Sequence, residues 1–298
     1  MIIETHGLYK TYGRVEAIRD VNLRVPAGAV FALIGPNGAG KSTTLRLLMN
    51  ILAPDRGEIR VLDTRSTALA PRHFQQIGYV SESQRVPQRL SIAQYFDYLR
   101  SLYPTWDREL ERELLRQFDL PPARRLKHLS HGMRMKTLLI AALAFRPRLL
   151  VLDEPLSGLD PLVRDEVVNG LLQQAHDTTI VISSHELSEI ESFTTHVAFM
   201  QDGQLLLQEA IEDLQARFRS VLVRLSAVKQ LPSPLPRGWL SPEIAGHQLQ
   251  FVTSAFEGER ELHQTLAGHF GAVTVATEGM SLRSIANALM QDHRRRRS

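Results

Sequence analysis
Short, unbroken apolar runs alternate along this chain with longer segments whose apolar residues return every three or four positions. The runs Ala29–Ile34, Ile77–Val80, Leu149–Leu152, Thr179–Ser183, Val197–Met200 and Gln204–Leu207 predict strands, and Gly57–Leu62, with Glu58 and Arg60 between apolar residues, also reads as a strand. A run that does not alternate in polarity is buried on both faces, which is the mark of a parallel sheet. The periodic segments predict helices over Lys41–Leu52, Ile92–Tyr103, Arg108–Phe118, Arg134–Phe145, Arg164–Ala175 and Ala210–Phe218.

From Ser220 the pattern changes. Val221–Leu225, Gln248–Val252 and Ala272–Ala276 read as strands, with helices over Arg260–Phe270 and Ser281–Met290. The Pro-rich stretch Leu231–Pro236 is turn or linker chemistry. This β-β-α-β-α order suits a small α+β module on one sheet, either a structural cap or a regulatory domain. The chain therefore divides into an α/β core over residues 1–219 and an extension over 220–298, with a helical subdomain at about 88–147 of the core.

The 298 residues suffice for a large core plus that appendage. The chain has no cysteine, which excludes disulfides and thiolate metal sites and suits a cytosolic protein. The opening Met1-Ile2-Ile3-Glu4-Thr5-His6 lacks the basic and apolar regions of a signal peptide. No apolar run approaches the roughly 18 residues that span a bilayer. A formal net charge of +3, with no basic stripe in the fold, argues against nucleic acid as a partner. The closing Arg294-Arg295-Arg296-Arg297 reads as a solvated tail, or as a segment drawn to an anionic leaflet at about 1 kcal/mol per charge.

Candidate chemistry begins at Gly35-Pro36-Asn37-Gly38-Ala39-Gly40-Lys41-Ser42-Thr43, a full match to the phosphate loop G-x-x-x-x-G-K-[ST] between a strand and a helix. The glycines let backbone N–H groups face phosphate oxygens, and the following helix adds its positive dipole end. Lys41 reaches the β- and γ-phosphates, and the Ser42 hydroxyl ligates Mg²⁺. The strand Leu149–Leu152 ends in Asp153-Glu154. Asp153 is placed to hold the Mg²⁺ and Glu154 to polarise the water that attacks the γ-phosphate. His185, at the end of the Thr179–Ser183 strand, can hydrogen-bond a γ-phosphate oxygen.

With Leu129-Ser130-His131-Gly132-Met133 added, the chain resembles the ATP-binding subunits of ATP-binding cassette (ABC) transporters over about Met1–Arg219. The matching elements appear in order: the aromatic Tyr12, the phosphate loop, a switch loop, the signature L-S-G-G-Q, the D-E pair, Ser157-Gly158-Leu159-Asp160 and the switch His185. The resemblance implies an ABC-type phosphate-loop NTPase fold of the α/β class, with a mostly parallel sheet, an antiparallel β part and a helical signature subdomain. It implies ATP and Mg²⁺ as cofactors, Tyr12 stacking on adenine, and Asp160 within the nucleotide-binding set. It further implies a dimer, identical or mixed, in which Ser130 and Gly132 meet the γ-phosphate of the neighbouring subunit.

The signature departs from the pattern at His131 and Met133. In the switch loop Ser81-Glu82-Ser83-Gln84 the aligned place, usually Gln, belongs to Glu82. Either Glu82 binds Mg²⁺ and acts in catalysis itself, or Gln84 reaches in. These departures and the stretch Tyr98–Asp107 resemble bacterial exporter-type members linked to efflux of antibiotics, peptides or toxic compounds. The implied protein is an ATPase on the inner face of the cell membrane, held there by a separate transmembrane permease. The alternative class is a soluble cassette ATPase acting on ribosomes or DNA. Ribosome-associated members usually carry two cassettes in one chain, and the stretch between Lys41 and Ser130 is too short for the coiled coil of chromosome-type members.

Overall fold
The structure, a computed structural model, describes residues 1–175, 177–227, 229–271 and 273–295. Two compact units follow one another, Met1–Gln208 and Glu209–Ser298. The first opens with β1 (Ile3–Tyr12), β2 (Val15–Val21), β3 (Arg24–Val25), β4 (Val30–Ile34), α1 (Lys41–Leu48), β5 (Arg56–Val61) and β6 (Thr64–Arg65). It continues through α2 (Pro71–Phe74), β7 (Ile77–Ser81), α3 (Ile92–Arg100), α4 (Arg108–Gln117), α5 (His131–Leu143) and β8 (Leu149–Asp153). It closes with α6 (Pro161–Gln174), β9 (Thr179–Ser184), β10 (His196–Gln201) and β11 (Gln204–Ala210), whose end crosses into the second unit.

A six-stranded sheet runs β11-β10-β4-β9-β8-β7, and a second sheet runs β2-β1-β5-β6 with β3 paired to β1. The pairs from β10 through β7 are parallel, and every residue of β4, β8 and β9 is buried, as their unbroken apolar runs require. The β1 pairs with β2, β3 and β5 are antiparallel. Ile3, Leu8, Val21, Phe31, Leu33, Leu45, Val151 and Val181 belong to one buried apolar cluster that joins the two sheets to α1.

The helices start where their caps dictate. Ser91 and Gln94 form a reciprocal capping box on α3, with Gln94 N–H donating to Ser91 Oγ at 3.2 Å and Ser91 N–H to Gln94 Oε1 at 2.9 Å. Asp107 caps α4 by accepting from Glu109 N–H at 2.8 Å and Leu110 N–H at 3.0 Å. The backbone bond from Leu110 and the Arg146 guanidinium hold its carboxyl below the usual range. The signature helix α5 begins at His131, three residues ahead of the expected Arg134, because Ser130 Oγ accepts from Met133 N–H at 3.2 Å and so makes Ser130 the cap.

The second unit comprises α7 (Ile211–Arg217), β12 (Arg219–Leu225), β13 (Trp239–Ala245), β14 (Gln248–Thr253), α8 (Glu259–Phe270), β15 (Val273–Gly279) and α9 (Leu282–Arg295). Its sheet order is β13-β14-β12-β15. The extra strand β13 corrects the expected order to β-β-β-α-β-α. Pro242 hid it: proline cannot donate to a ladder, but β13 is an edge strand whose register slips between Leu240 and Glu243, where a missing N–H is tolerated. Trp239 stacks on Phe251 with ring centroids 3.9 Å apart, over a core containing Val221, Leu249, Leu266 and Phe270. Helix α7 packs against α9, so the division falls ahead of the expected Arg219. Ala272, the expected start of β15, and the tail residues Arg296 and Arg297 lie outside the described residues.

The helical segment is locked to the core through Phe118. Its ring is buried against α6 at Gly170, where an added Cβ would lie 2.6 Å from Phe118 Cζ. Lys136 donates to Phe118 O at 3.3 Å and pairs with Glu166. Gly170→Val should therefore overpack this junction and lower unfolding stability by about 1–3 kcal/mol. Urea denaturation followed by circular dichroism measures it; an unchanged midpoint would contradict the packing.

Candidate nucleotide site
The phosphate loop joins the buried end of β4 to α1. Asn37 and Gly38 form its exposed tip, Pro36 is half-buried, Ala39 is buried, and Ser42 and Thr43 are half-buried at the start of α1. Two glycines are obligatory. A Cβ at Gly35 would lie 2.3 Å from Met200 O, and Gly40, at φ 105°, would place one 2.7 Å from Ala17 O. Lys41, 5% exposed, donates to Gly35 O at 2.6 Å and Pro36 O at 3.3 Å, and pairs with Glu154 Oε1 at 3.1 Å.

Parallel register gathers the strand ends beside this loop. Ile34 is opposite Ser184, Ser183 opposite Asp153, and Asp153 opposite Ser81, so β4, β9, β8 and β7 finish together. Asp153 is buried, and its Oδ1 accepts from Ser42 Oγ at 2.9 Å and Ser183 Oγ at 2.8 Å. Burial, and then the Asp153 charge, push the neighbouring Tyr79 phenol above its usual range. The Ser42 hydroxyl and the Asp153 carboxylate are hard oxygen donors that suit Mg²⁺. Among the described residues no group of three or more His, Cys, Asp or Glu could hold a metal, so phosphate and water oxygens have to complete such a shell.

Glu154 occupies the left-handed region at φ 52°, uncommon for a residue with a side chain. Its N–H donates to Ser183 Oγ at 2.9 Å. Its Oε2 accepts from His185 Nδ1 at 2.9 Å and His185 N–H at 3.3 Å. The carboxylate thus links Lys41 of the phosphate loop to the switch histidine, three residues that sequence reasoning placed in one site.

The switch loop is tied down by its backbone. Glu82 N–H donates to Asp153 O at 3.2 Å, while the Glu82 side chain is exposed. Gln84 Oε1 accepts from Ser81 N–H at 3.4 Å, and Gln84 O accepts from Arg134 of α5. Ser130 is exposed at the start of α5, and Gly132 is half-buried, with space for a Cβ closed by Val163 Cγ1 at 2.9 Å. Asp160 Oδ1 caps α6 by accepting from Val163 N–H at 3.1 Å. Tyr12 is 45% exposed at the end of β1, with Lys10 Nζ 6.0 Å from its ring. Asp55 fixes that strand end by accepting from Lys10 Nζ at 2.9 Å and Thr11 N–H at 2.7 Å, bonds that lower its own pKa.

Sequence reasoning missed three participants. Ser183 joins Asp153 to the Glu154 backbone. Arg134 joins the signature helix to the switch loop. Buried Glu189 accepts from Ser184 Oγ at 3.1 Å and pairs with Arg164 at 3.0 Å, bracing the strand end before His185. Only Ser183 carried a signal, a polar residue closing an apolar run beside the D-E pair.

Comparison with known proteins gives the family of the chain. The family described as ABC transporter matches residues 18–157. The bacitracin transport ATP-binding protein BcrA of Enterococcus faecalis is 32% identical over 73% of this chain and 72% of its own length. The Fe(3+) ions import ATP-binding protein FbpC of Pseudomonas fluorescens is 34% identical over 79% of this chain and 70% of its own. A solved structure of an ATP binding subunit of an ABC transporter superposes with a TM-score of 0.67 at 27% identity, covering 72% of this chain and 92% of that one. Among the described residues no helix is long and apolar enough to cross a membrane. The chain belongs to the ABC transporter family, among its ATP-binding proteins.

Proposed function
We propose that this chain hydrolyses ATP with Glu154 as general base and drives a separate transmembrane permease, as a peripheral subunit on the inner face of the cell membrane. The observation that carries the reading is the Glu154 carboxylate, bound on one side to Lys41 and on the other to His185. Phosphate oxygens of bound ATP would compete for the Lys41 ammonium and the His185 N–H. That exchange would release Glu154 to take a proton from the attacking water. Ser42 and Asp153 would hold Mg²⁺, which neutralises charge on the β- and γ-phosphate oxygens. Tyr12 offers adenine an exposed ring face at the end of β1. Relatives named for import and for bacitracin transport both exist; export is the reading favoured by the resemblance of the L-S-x-G-M signature and the Glu82 loop to exporter-type members.

Lys41→Ala should weaken ATP binding by about 10- to 100-fold, the range of hydrogen bonds to a charged group. Glu154→Gln should bind ATP normally and lower kcat by about 10²- to 10⁴-fold. Fluorescent-nucleotide titration and phosphate release read the two separately; near-normal turnover by Glu154→Gln would remove the general base.

In the switch loop, Glu82→Ala should lower kcat and shift the Mg²⁺ dependence, with Gln84→Ala close to the parent. Mg²⁺ titrations of the ATPase rate decide between them. A larger loss with Gln84→Ala would move the metal role two positions along the loop.

Two subunits should close around ATP, each phosphate loop facing the other's Ser130 and Gly132. Glu154→Gln with ATP should then elute as a dimer on size exclusion, and as a monomer without nucleotide. Ser130→Arg should abolish that dimer and spare ATP binding. If the natural partner is a different cassette, the same result is expected with that partner added. Normal dimerisation and turnover by Ser130→Arg in both settings would show that the segment is not a signature.

A further inference from the structure
We propose that His131 is a positioning residue that ties the signature turn to the turn carrying Glu154 in the same chain. His131 replaces glycine of the family pattern, and its imidazole has a partner: Nε2 lies 3.0 Å from Ser157 O. A carbonyl only accepts, so Nε2 carries the hydrogen. Gly158, at φ +67°, leaves room for the ring, since even a Cβ there would stand 3.9 Å from Nε2.

The peptide that His131 grips belongs to the catalytic turn. Ser157 N–H donates to Glu154 O at 3.3 Å, closing the turn in which Glu154 holds φ 52°. The next signature residue, Gly132, packs against Val163 at the other end of the same segment. Consecutive signature residues therefore hold both ends of Ser157–Val163. Displacing the first turn of α5 must pull on the Ser157 carbonyl and, through it, on the Glu154 backbone. Ser130 and Gly132, which flank His131 and would face the neighbour's ATP, are thereby mechanically joined to the base acting on the chain's own ATP. The effect falls on turnover, because the bond that His131 makes is to Ser157 of the turn carrying Glu154 and not to a group that binds nucleotide.

The assignment rests on the reading of Glu154 as the base. The test compares His131→Ala, His131→Gln and Glu154→Gln in the full chain by steady-state ATPase kinetics and thermal melts. His131→Ala should lower kcat about 2- to 12-fold, the range of one neutral hydrogen bond, at unchanged KM. His131→Gln, whose amide N–H can reach the same carbonyl, should recover most of the loss. An unchanged kcat in His131→Ala, an equal loss in both His131 variants, or a raised KM at constant kcat would each overturn the proposal. Hydrolysis surviving in Glu154→Gln would instead bring down the parent reading, and this assignment with it.

Discussion
A carboxylate taken out of water must find hydrogen-bond donors, and Asp153 is the buried carboxylate on which this site is built. Unpaired, it would cost several kcal/mol. Its donors are Ser42, at the start of α1, and Ser183, near the end of β9. One oxygen atom therefore fixes the phosphate-loop helix against two strands that are far from it in sequence. The parallel register then brings Ser81 and Ile34 to the same edge. The constraint that satisfies the buried charge also collects the groups that suit a triphosphate and a hard cation.

Glu154 depends on the same arrangement. A non-glycine residue at positive φ carries strain of about 1–3 kcal/mol and persists where its surroundings over-determine it. Ser183, already bonded to Asp153, accepts the Glu154 N–H, while Lys41 and His185 hold the carboxylate from opposite sides. The ion pair with Lys41 is nearly dry, with 5% and 15% of the two side chains exposed, so an incoming phosphate has to replace Glu154 as the partner of a buried ammonium.

Most of the core was legible because its strands are buried on both faces and so read as unbroken apolar runs, as β4, β8 and β9 do. The phosphate loop was legible because phosphate contact through backbone N–H groups imposes glycine at fixed spacing. What escaped depends on partners distant in the chain. Arg134 and Glu189 look like ordinary surface charges until folding brings one to Gln84 O and the other to Arg164 and Ser184. The start of α5 lies ahead of the expected Arg134 because the cap at Ser130 and the contact with Val163 outweigh the low helix propensity of Gly132. Pro242 hid β13 by the same kind of local rule, relaxed here by the edge position and the slipped register.

Two motif residues also have folding duties, and their chemistry separates what each can do for a nucleotide. Ser130 accepts from Met133 N–H through its oxygen, which leaves its O–H to donate. Capping α5 and meeting a phosphate are therefore compatible in one hydroxyl, and the positive end of the helix dipole favours an anion there. Asp160 caps α6 in the same way through Val163 N–H. An ionised carboxylate only accepts, so it has nothing to donate to a phosphate oxygen and would repel it. What Asp160 gives the site is the anchored start of α6, which sets where Ser157, Gly158 and Leu159 lie between Glu154 and the signature turn.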